Sequence, residues 1–252
     1  MGFVIAVAGK GGCGKTSLAT LVIRYLMKNK QGPILAVDAD ANANLGESLG
    51  LKVEHTVGEI LDEFQHEKLN IPAGMTKESY LDYRLNSVLV ESRGLDLLTM
   101  GRGEGPECYC YPNLIIRKFA DELADSYAFT VMDNEAGMEH LSRRTTHNVD
   151  RLLLVSNHSV KGVRTIRRIQ DLAASLRLVV GEQFPIINMV PEGKLDPLVQ
   201  AELERLGLEP AAVIPQDEML YRFDLEMRPL LELPDDSAAV GAVDGLMASI
   251  LG

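Results

Sequence analysis

The fold of this chain is decided by residues 3–16, which read FVIAVAGKGGCGKT. Residues 3–8 form an uninterrupted apolar run, which is typical of a strand buried on both faces of a parallel sheet. A glycine-rich turn follows, and an amphipathic helical pattern begins at about Lys15 and continues to Met27. The stretch therefore predicts a strand, a phosphate-binding loop and a helix, in that order.

The rest of the chain repeats this alternation of short apolar runs and helical patterns. Further strands are predicted at residues 34–38, 95–100, 128–133, 152–156, 184–190 and 212–215. Strands that alternate with helices need crossover connections, which place helices on both faces of a mostly parallel sheet. The prediction is an α/β fold of P-loop nucleotide hydrolase architecture with about seven strands.

The chain is predicted to be one domain over residues 1–252, because it contains no internal repeat, low-complexity segment or convincing linker. Residues 51–93 are polar and helical in pattern, and they resemble an insertion after the second strand. Residues 101–112 form a glycine-rich loop that contains a Cys-Tyr-Cys triplet.

Composition excludes several classes of protein. Hydrophobic residues make up 46% and charged residues 24% of the chain, which excludes disordered and fibrous proteins. A net charge of −11 argues against nucleic acids and anionic membranes as partners. Three cysteines do not make a disulfide framework, and no apolar run approaches the ~20 residues that span a bilayer. We therefore expect a cytoplasmic protein in a reducing compartment.

Residues 9–16 match the phosphate-loop pattern G-x-x-x-x-G-K-[ST] without a mismatch. Glycines let the backbone curl so that its N–H groups point at phosphate oxygens, and the helix N-terminus adds positive charge. Lys15 is predicted to reach the β- and γ-phosphates of ATP, and the Thr16 hydroxyl to ligate Mg²⁺. Cys13 occupies a free position of the loop, where a small apolar residue suffices. The predicted nucleotide-binding residues here are Gly9, Lys10, Gly11, Gly12, Cys13, Gly14, Lys15, Thr16 and Ser17.

Lys10 is a second lysine inside the loop, which the plain motif does not require. Residues 10–16 fit K-G-G-x-G-K-[ST], and with it the chain resembles the deviant P-loop ATPases. That family includes septum-positioning, plasmid-partitioning, nitrogenase-iron-protein and metal-insertion members. The resemblance implies a homodimer in which Lys10 touches the phosphates bound by the other subunit, as an arginine finger does. Lys10 and Lys15 are therefore candidate catalytic residues.

Further positions of that family's pattern fall on strand ends. By resemblance, Asp40 orients or activates the attacking water, Asp38 holds the Mg²⁺ shell through water, and Asp133 assists Mg²⁺. The Gly137 N–H would sense the γ-phosphate. Carboxylates at the carboxyl edge of an open α/β sheet lie where ligands bind. Aspartates in these places also serve as helix N-caps, and that alternative stays open.

Two later segments fit the base pocket of the same family. Asn188 ends a predicted strand in an amide, which can donate to and accept from an adenine edge. Pro215 closes the next strand and can pack on the base, and Asp217 follows it. For Asn188, a role as a turn or helix-entry residue is an equal alternative.

The cysteines of the triplet are Cys108 and Cys110. Two thiols cannot complete a tetrahedral site alone, because soft divalent metals prefer four nitrogen or sulfur ligands. Two chains related by a two-fold axis would supply four thiolates. The alternative is a pair of ordinary thiols, as is common for an isolated C-x-C in a reducing compartment.

The Cys-Tyr-Cys triplet and the Asp-x-x-Ala-Gly-x-Glu-His pattern at residues 133–140 make the chain similar to a smaller group within that family. With them the chain resembles the nickel-insertion ATPases that mature carbon monoxide dehydrogenase, and the related ATPase that matures acetyl-CoA synthase. The resemblance implies a homodimer that holds Ni²⁺, or Zn²⁺ at the same site, with Cys108 and Cys110 of both subunits. Delivery to the client enzyme would be coupled to ATP hydrolysis to ADP. Glu139 and His140 are part of that pattern, but the resemblance assigns no role to them.

Two other functions compete. A partitioning or positioning ATPase shares the loop but acts on DNA or membrane; its membrane-acting members carry a basic C-terminal helix, whereas no lysine or arginine follows Arg228. An electron-donating ATPase would bridge its dimer with an Fe–S cluster. One helical stretch has a basic face, expected to be solvated but able to dock an acidic partner: Lys161, Arg164, Arg167 and Arg168.

Overall fold

A computed structural model describes residues 2–30, 32–66, 71–101, 119, 123, 125–135, 148–175 and 179–252. One sheet contains seven strands in the order β3-β2-β4-β1-β5-β6-β7, and all neighbours are parallel. Their bounds are β1 (Phe3–Gly9), β2 (Ile34–Ala39), β3 (Leu95–Thr99), β4 (Phe129–Asn134), β5 (Asn148–Asn157), β6 (Val179–Val190) and β7 (Ala212–Pro215). The predicted parallel α/β fold is confirmed, strand by strand.

Helices cover both faces of this sheet. Within the described residues they are α1 (Lys15–Asn29), α2 (Leu45–Leu49), α3 (Val57–His66), α4 (Lys77–Asn86), α5 (Val160–Ser175), α6 (Pro197–Leu206), α7 (Glu218–Leu225) and α8 (Ala238–Leu251). Two 3₁₀ turns lie at Pro191–Gly193 and Leu230–Glu232. The helical pattern of residues 51–93 corresponds to α3 and α4. No helix in the described parts of the chain is long and apolar enough to cross a lipid bilayer.

Side chains of the strands alternate between two hydrophobic cores. In β1, Val4, Ala6 and Ala8 face the core that is covered by α3, α4, α5 and α6. Ile5 and Val7 face the other core, under α1, α2, α7 and α8. Because both faces are buried, β1 is apolar at every position, which is why its sequence reads as a continuous run.

The carboxyl edge of the sheet is where the chain can bind a ligand. Strand β1 lies between β4 and β5. The chain passes from β1 to β2 on one side of β1 and from β4 to β5 toward the other side, and where two such connections diverge a crevice opens at the carboxyl end of the strand. The register places Thr99, Asp38 and Asp133 side by side on β3, β2 and β4 at this edge. The loop of residues 10–14 leaves β1 beside them.

Candidate functional site

Two glycines of the loop, Gly9 and Gly14, have no room for a side chain. A Cβ atom on Gly9 would lie 2.3 Å from the Val155 carbonyl oxygen, and one on Gly14 would lie 2.4 Å from Asn188 Nδ2. Gly14 also has a φ of 85° at the N-cap of α1, a left-handed conformation that favours glycine. The predicted strand–loop–helix geometry is therefore present, with the N-terminus of α1 directed at the loop.

The two lysines of the loop differ in exposure. Lys15 is buried at 6% exposure, and its Nζ donates to the Lys10 carbonyl oxygen at 3.5 Å. The Lys10 residue is exposed, as are Gly11 and Gly12. Cys13 packs inward, its Sγ donating to the Val155 carbonyl at 3.4 Å, and burial raises the pKa of its thiol. Lys15 is thus placed inside the loop, whereas Lys10 faces outward.

Asp133 and Thr16 meet directly. Thr16 Oγ1 donates to Asp133 Oδ2 at 2.6 Å, while Asp133 Oδ1 is buried and has no hydrogen-bond partner among the described residues. Burial raises the pKa of Asp133 to about 7; the Thr16 hydrogen bond opposes this shift, and the neighbouring Asp38 adds to it. A buried unpaired carboxylate oxygen beside a threonine hydroxyl is a donor set that suits a hard cation.

Asp38 is fully buried and holds the loop that follows β2. Its Oδ1 accepts from the Asp40 N–H at 3.1 Å, and its Oδ2 from the N–H of Leu45, the first residue of α2, at 2.8 Å. Burial raises the pKa of Asp38 to about 6. Asp38 thus ties the end of β2 to the start of α2, whereas Asn44 occupies the N-cap position of that helix. The part of Asp38 in a Mg²⁺ shell stays a prediction.

Asp40 stands at the start of that loop and is partly exposed. Its Oδ1 accepts from both the backbone N–H and the side-chain amide of Asn42, each at 2.9 Å. These bonds fix the orientation of the carboxylate at the carboxyl edge of the sheet. A partly exposed, oriented carboxylate can polarise a water molecule, so the predicted role of Asp40 stays open to test.

Asn188 makes its hydrogen bonds to the loop rather than presenting a free amide. Its Nδ2 donates to the Cys13 carbonyl at 2.9 Å, and its Oδ1 accepts from the Met189 N–H at 2.9 Å. One amide hydrogen remains for a ligand. The structure thus shows Asn188 as a tether between the end of β6 and the phosphate loop, and adenine recognition by this residue stays a prediction.

Asp217 accepts hydrogen bonds at the starts of two helices, α7 and α8. Its Oδ1 accepts from the N–H groups of Met219 and Leu220 at the start of α7, and its Oδ2 from Ser237 Oγ and the Ala239 N–H. Burial acts to raise the pKa of Asp217, but these hydrogen bonds outweigh it and lower the pKa. Pro215 lies at the end of β7, where it is partly exposed. Nucleotide binding by Pro215 and Asp217 stays a prediction.

A cavity of about 340 Å³ adjoins the first turn of α1. The residues that line it are Thr16, Ser17, Asn44, Glu47, Ser48, Asp224, Met227, Arg228 and Leu230. Arg228 is oriented by stacking on Phe223, with its guanidinium carbon 3.9 Å from the ring centroid. Apart from Thr16 and Ser17, these lining residues were not predicted from the sequence, because they come from separate segments and form no motif.

Strained backbone is concentrated around the site. Four described non-glycine residues have a positive φ: Ala43 at 53°, Met189 at 57°, Met227 at 54° and Glu192 at 51°. Ala43 lies in the loop after Asp40, Met189 against Gly14, and Met227 on the cavity wall. Such conformations cost about 1–3 kcal/mol each and cluster at ligand-binding sites.

Several predicted residues, namely Cys108, Cys110 and Gly137, lie outside the described residues, as do Glu139 and His140. The segment that carries the cysteines leaves β3 through Met100 and Gly101. The Met100 N–H donates to the Asp38 carbonyl at 2.8 Å, and a Cβ on Gly101 would lie 2.5 Å from Thr56 Oγ1. The described residues hold no group of three or more His, Cys, Asp or Glu that could bind a metal ion.

Comparisons with known proteins agree with this site. A model of the CobQ/CobB/MinD/ParA nucleotide binding domain matches residues 4–230. An uncharacterised ATP-binding protein of Methanocaldococcus jannaschii is 42% identical over 250 residues, 98% of each chain. The carbon monoxide dehydrogenase accessory protein CooC of Rhodospirillum rubrum is 28% identical over 183 residues, 68% of this chain and 69% of that protein.

Among solved structures, the septum site-determining protein MinD of Pyrococcus horikoshii, complexed with Mg-ADP, has the same fold. It superposes with a TM-score of 0.70 at 18% identity, covering 99% of this chain and 96% of that chain. The fold, the phosphate loop and the family match over residues 4–230 lead to one conclusion. This chain belongs to the CobQ/CobB/MinD/ParA family of P-loop nucleotide-binding proteins.

Proposed function

We propose that this protein is a Mg²⁺-dependent ATPase that works as a homodimer and delivers a metal ion, Ni²⁺, to a client enzyme. The observation that carries the ATPase part is the joint placement of Lys15, Thr16 and Asp133 at the carboxyl end of β1. Lys15 is buried inside the loop, and Thr16 bonds to an aspartate that has one oxygen unpaired.

The residues present fit a magnesium ion. Thr16 Oγ1 and the unpaired Oδ1 of Asp133 are hard oxygen ligands, and Asp38 lies beside them in register. When bound, the ion would supply positive charge that stabilises the transferring phosphoryl group. Thr16 and Asp133 would hold it, directly or through water, once Asp133 has lost its proton.

The remaining roles follow from exposure and charge. Lys15 would bind the β- and γ-phosphates from within the loop. The Asp40 carboxylate, oriented by Asn42, would accept a proton from the attacking water or position it. Lys10 faces outward, so its ammonium group is available to phosphates in a second subunit. The cavity beside Ser17 is large enough for part of a nucleoside.

Metal delivery is supported by two further observations. The segment that carries Cys108 and Cys110 begins at Gly101, two residues after Thr99 of the row that contains Asp38 and Asp133. The similarity to CooC, named as a carbon monoxide dehydrogenase accessory protein, supports that enzyme as the client. Acetyl-CoA synthase is the other client that the sequence resemblance implies. A shared site of four thiolates would tie metal binding to dimer formation.

ATP hydrolysis by purified Lys15→Ala, Lys10→Ala and the remote control Lys52→Ala tests the ATPase assignment. We expect Lys15→Ala to lower the rate by about 100-fold or more, since the charge on the phosphates has no substitute. Lys10→Ala should keep ADP binding and lose hydrolysis, and Lys52→Ala should match the parent. Parent-like hydrolysis by Lys15→Ala would refute the assignment; loss of ADP binding by Lys10→Ala would place Lys10 within its own subunit.

A nickel titration with analytical ultracentrifugation tests metal delivery. One ion should bind per two chains and bring monomers together, and its affinity should weaken as pH falls because thiolates must lose protons to bind. Cys108→Ser or Cys110→Ser should abolish binding, whereas Tyr109→Phe keeps both thiols and should bind normally. One ion per monomer without association would refute the shared site while leaving the ATPase assignment intact.

A positioning ATPase is the second candidate, since MinD shares this fold and is named as a septum site-determining protein. Such a protein would bind a membrane or DNA in a nucleotide-dependent way. Co-sedimentation with anionic vesicles and with plasmid DNA separates the two functions. ATP-dependent pelleting, together with absence of nickel binding, would favour positioning over metal delivery.

A further inference from the structure

The outer faces of α5 and α6 form a basic surface on an otherwise acidic chain. Its cations are Lys161, Arg164, Arg167 and Arg168 of α5 and Arg205 of α6. All five residues are exposed, while the opposite side of α5 is buried in the core through Val163, Ile166 and Ile169. The two helices carry five cations and three carboxylates, Asp171, Glu202 and Glu204, in a chain whose net charge is −11.

Two of the guanidinium groups are held in place by one buried carboxylate. Glu202 Oε1 accepts from Arg164 Nε at 2.7 Å and from an Arg205 Nη at 2.6 Å, and Oε2 accepts from Arg205 Nε at 2.9 Å. The Glu202 side chain is only 8% exposed, whereas those of Arg164 and Arg205 are 54% and 59% exposed. The two cations are thus fixed side by side with N–H groups left for solvent or a partner.

The charge of this arrangement does not change with pH in the physiological range. Hydrogen bonds from Arg205 and Arg164 lower the pKa of Glu202 to about 2, so the carboxylate stays ionised and the triad keeps one net positive charge. Lys161 and Arg168 form no ion pair with any described carboxylate. Preorganised guanidinium groups lose little side-chain entropy when they bind, which favours them as docking groups for carboxylates.

We propose that this basic surface docks an acidic, aspartate- or glutamate-rich segment of a protein partner. Lys161, Arg164 and Arg168 follow one another at three- and four-residue spacing, so their charges form a stripe about 10 Å long on the helix. A short acidic segment matches that length. This docking does not depend on the proposed metal delivery.

Charge argues for a polypeptide rather than a nucleic acid. Duplex DNA carries one charge per ~1.7 Å and is bound through many phosphate contacts. Arg164, Arg167 and Arg205 already contact carboxylates of this chain, and the rest of the molecule is strongly acidic and repels a dense polyanion. A segment with a few carboxylates gains the local attraction and meets less of that repulsion.

The surface lies close to the nucleotide site. Helix α5 begins three residues after Asn157, the last residue of β5, and its N-terminus is capped by Ser159, which bonds to Asn157. On the same strand the Val155 carbonyl contacts Cys13 of the phosphate loop. A partner docked at the N-terminal end of α5 would therefore lie one strand end away from the phosphate loop.

Fluorescence anisotropy with a labelled oligoglutamate peptide tests the proposal on the full-length chain. The variant K161E/R168E reverses the two unpaired cations without touching Glu202, and K52E/K77E makes the same change in net charge on exposed lysines elsewhere. At low salt we expect the parent to bind and K161E/R168E to weaken binding about tenfold, with less than about twofold change in the control. Thermal melting checks that both variants are folded.

Three results would overturn the proposal. The first is that the parent binds no oligoglutamate at low salt. The second is that the control variant loses as much affinity as K161E/R168E, which would make the effect one of net charge. The third is that a duplex DNA of similar length binds this surface more tightly than the peptide. A change in self-association of K161E/R168E would instead assign the surface to a second copy of the chain.

Discussion

Carboxylates at the two ends of the sheet differ in how many of their oxygens accept hydrogen bonds. At the amino end, Asp96 accepts from the Ser92 N–H at 3.0 Å and from the Tyr127 hydroxyl at 2.6 Å, and Asp150 accepts from the Val4 N–H at 2.7 Å. At the carboxyl end, Asp133 is 1% exposed and has an oxygen without a partner. The chain itself supplies donors to Asp96 and Asp150, and also to both oxygens of Asp38 at the carboxyl end, whereas Asp133 keeps one oxygen without a partner among the described residues.

This difference separates a structural role from a functional one. A buried polar group without a partner costs about 1–3 kcal/mol, so the carboxyl end lowers the stability of the ligand-free protein. The raised pKa values of Asp133 and Asp38 express the same cost, since burial disfavours their charged forms. A ligand that supplies a cation at the carboxyl end would remove this cost, whereas its binding would not change the hydrogen bonds at the amino end.

The largest expected effect is that of Asp133→Asn. The amide keeps the size of the side chain but cannot supply a charged ligand for Mg²⁺, so we expect hydrolysis to fall by about 100-fold or more. Asp150→Asn at the amino end is the matched control and should keep the parent rate. Steady-state ATPase assays decide this, and equal losses in the two variants would erase the contrast between the two ends.

The second effect is the dependence of stability on pH without ligand. The folded-state pKa values of Asp133 and Asp38, about 7 and about 6, lie above the unfolded value near 4, so the native chain binds more protons between these limits. Their contribution is fully present below about pH 4 and is lost as pH rises through 6 to 7.

We expect the free energy of unfolding to fall by about 2–4 kcal/mol from this source between pH 5 and pH 8. Urea titrations with a chelator present measure it. Asp133→Asn should flatten much of the slope and be more stable than the parent at pH 8. A parent-like slope in this variant would show that other groups produce the pH dependence.

A smaller effect is expected at the tether between β6 and the loop. Asn188→Asp places a carboxylate oxygen against the Cys13 carbonyl, where Nδ2 now donates, and the two oxygens repel. We expect ADP to bind about tenfold more weakly, because the loop loses a contact that fixes its shape. Calorimetry checks this, with Asn86→Asp, an exposed position on α4 away from the site, as the control. Parent-like affinity would mean that the tether does not shape the loop.

The smallest effect belongs to the amino end. Tyr127→Phe removes the hydroxyl that donates to Asp96 at 2.6 Å and should lower the free energy of unfolding by about 1 kcal/mol. ATP hydrolysis should not change. Urea unfolding and an ATPase assay on the same preparation separate the two readouts, and a fall in activity of the folded variant would be inconsistent with a purely structural role.

Sequence patterns predicted the sheet well, because each strand contains a short run of apolar residues. The exceptions are strand lengths: β5 and β6 begin before residues 152 and 184, at Asn148 and Val179. The early part of β6 is polar and mostly exposed, so hydrophobicity does not mark it. Strand β7 pairs with β6 only from Ile186 onward.

The site was predictable where one contiguous motif defines it. The loop and its contact with Asp133 follow from strand ends that meet at one edge. The hydrogen bonds from Leu45 to Asp38 and from Ala239 to Asp217 were not predictable, since they depend on which separate segments pack together. The same is true of the cavity wall formed by Asp224 and Arg228. No local spacing encodes such contacts.

The most direct test of the account is ADP binding with and without Mg²⁺, measured at pH 6 and pH 8 on the parent and on Asp133→Asn. We predict that Mg²⁺ strengthens binding to the parent by about tenfold or more at pH 8 and by less at pH 6, because Asp133 must first lose its proton. In Asp133→Asn the Mg²⁺ effect should largely vanish at both pH values. An undiminished, pH-dependent Mg²⁺ effect in that variant would contradict the claim that the unpaired oxygen of Asp133 awaits the nucleotide's metal ion.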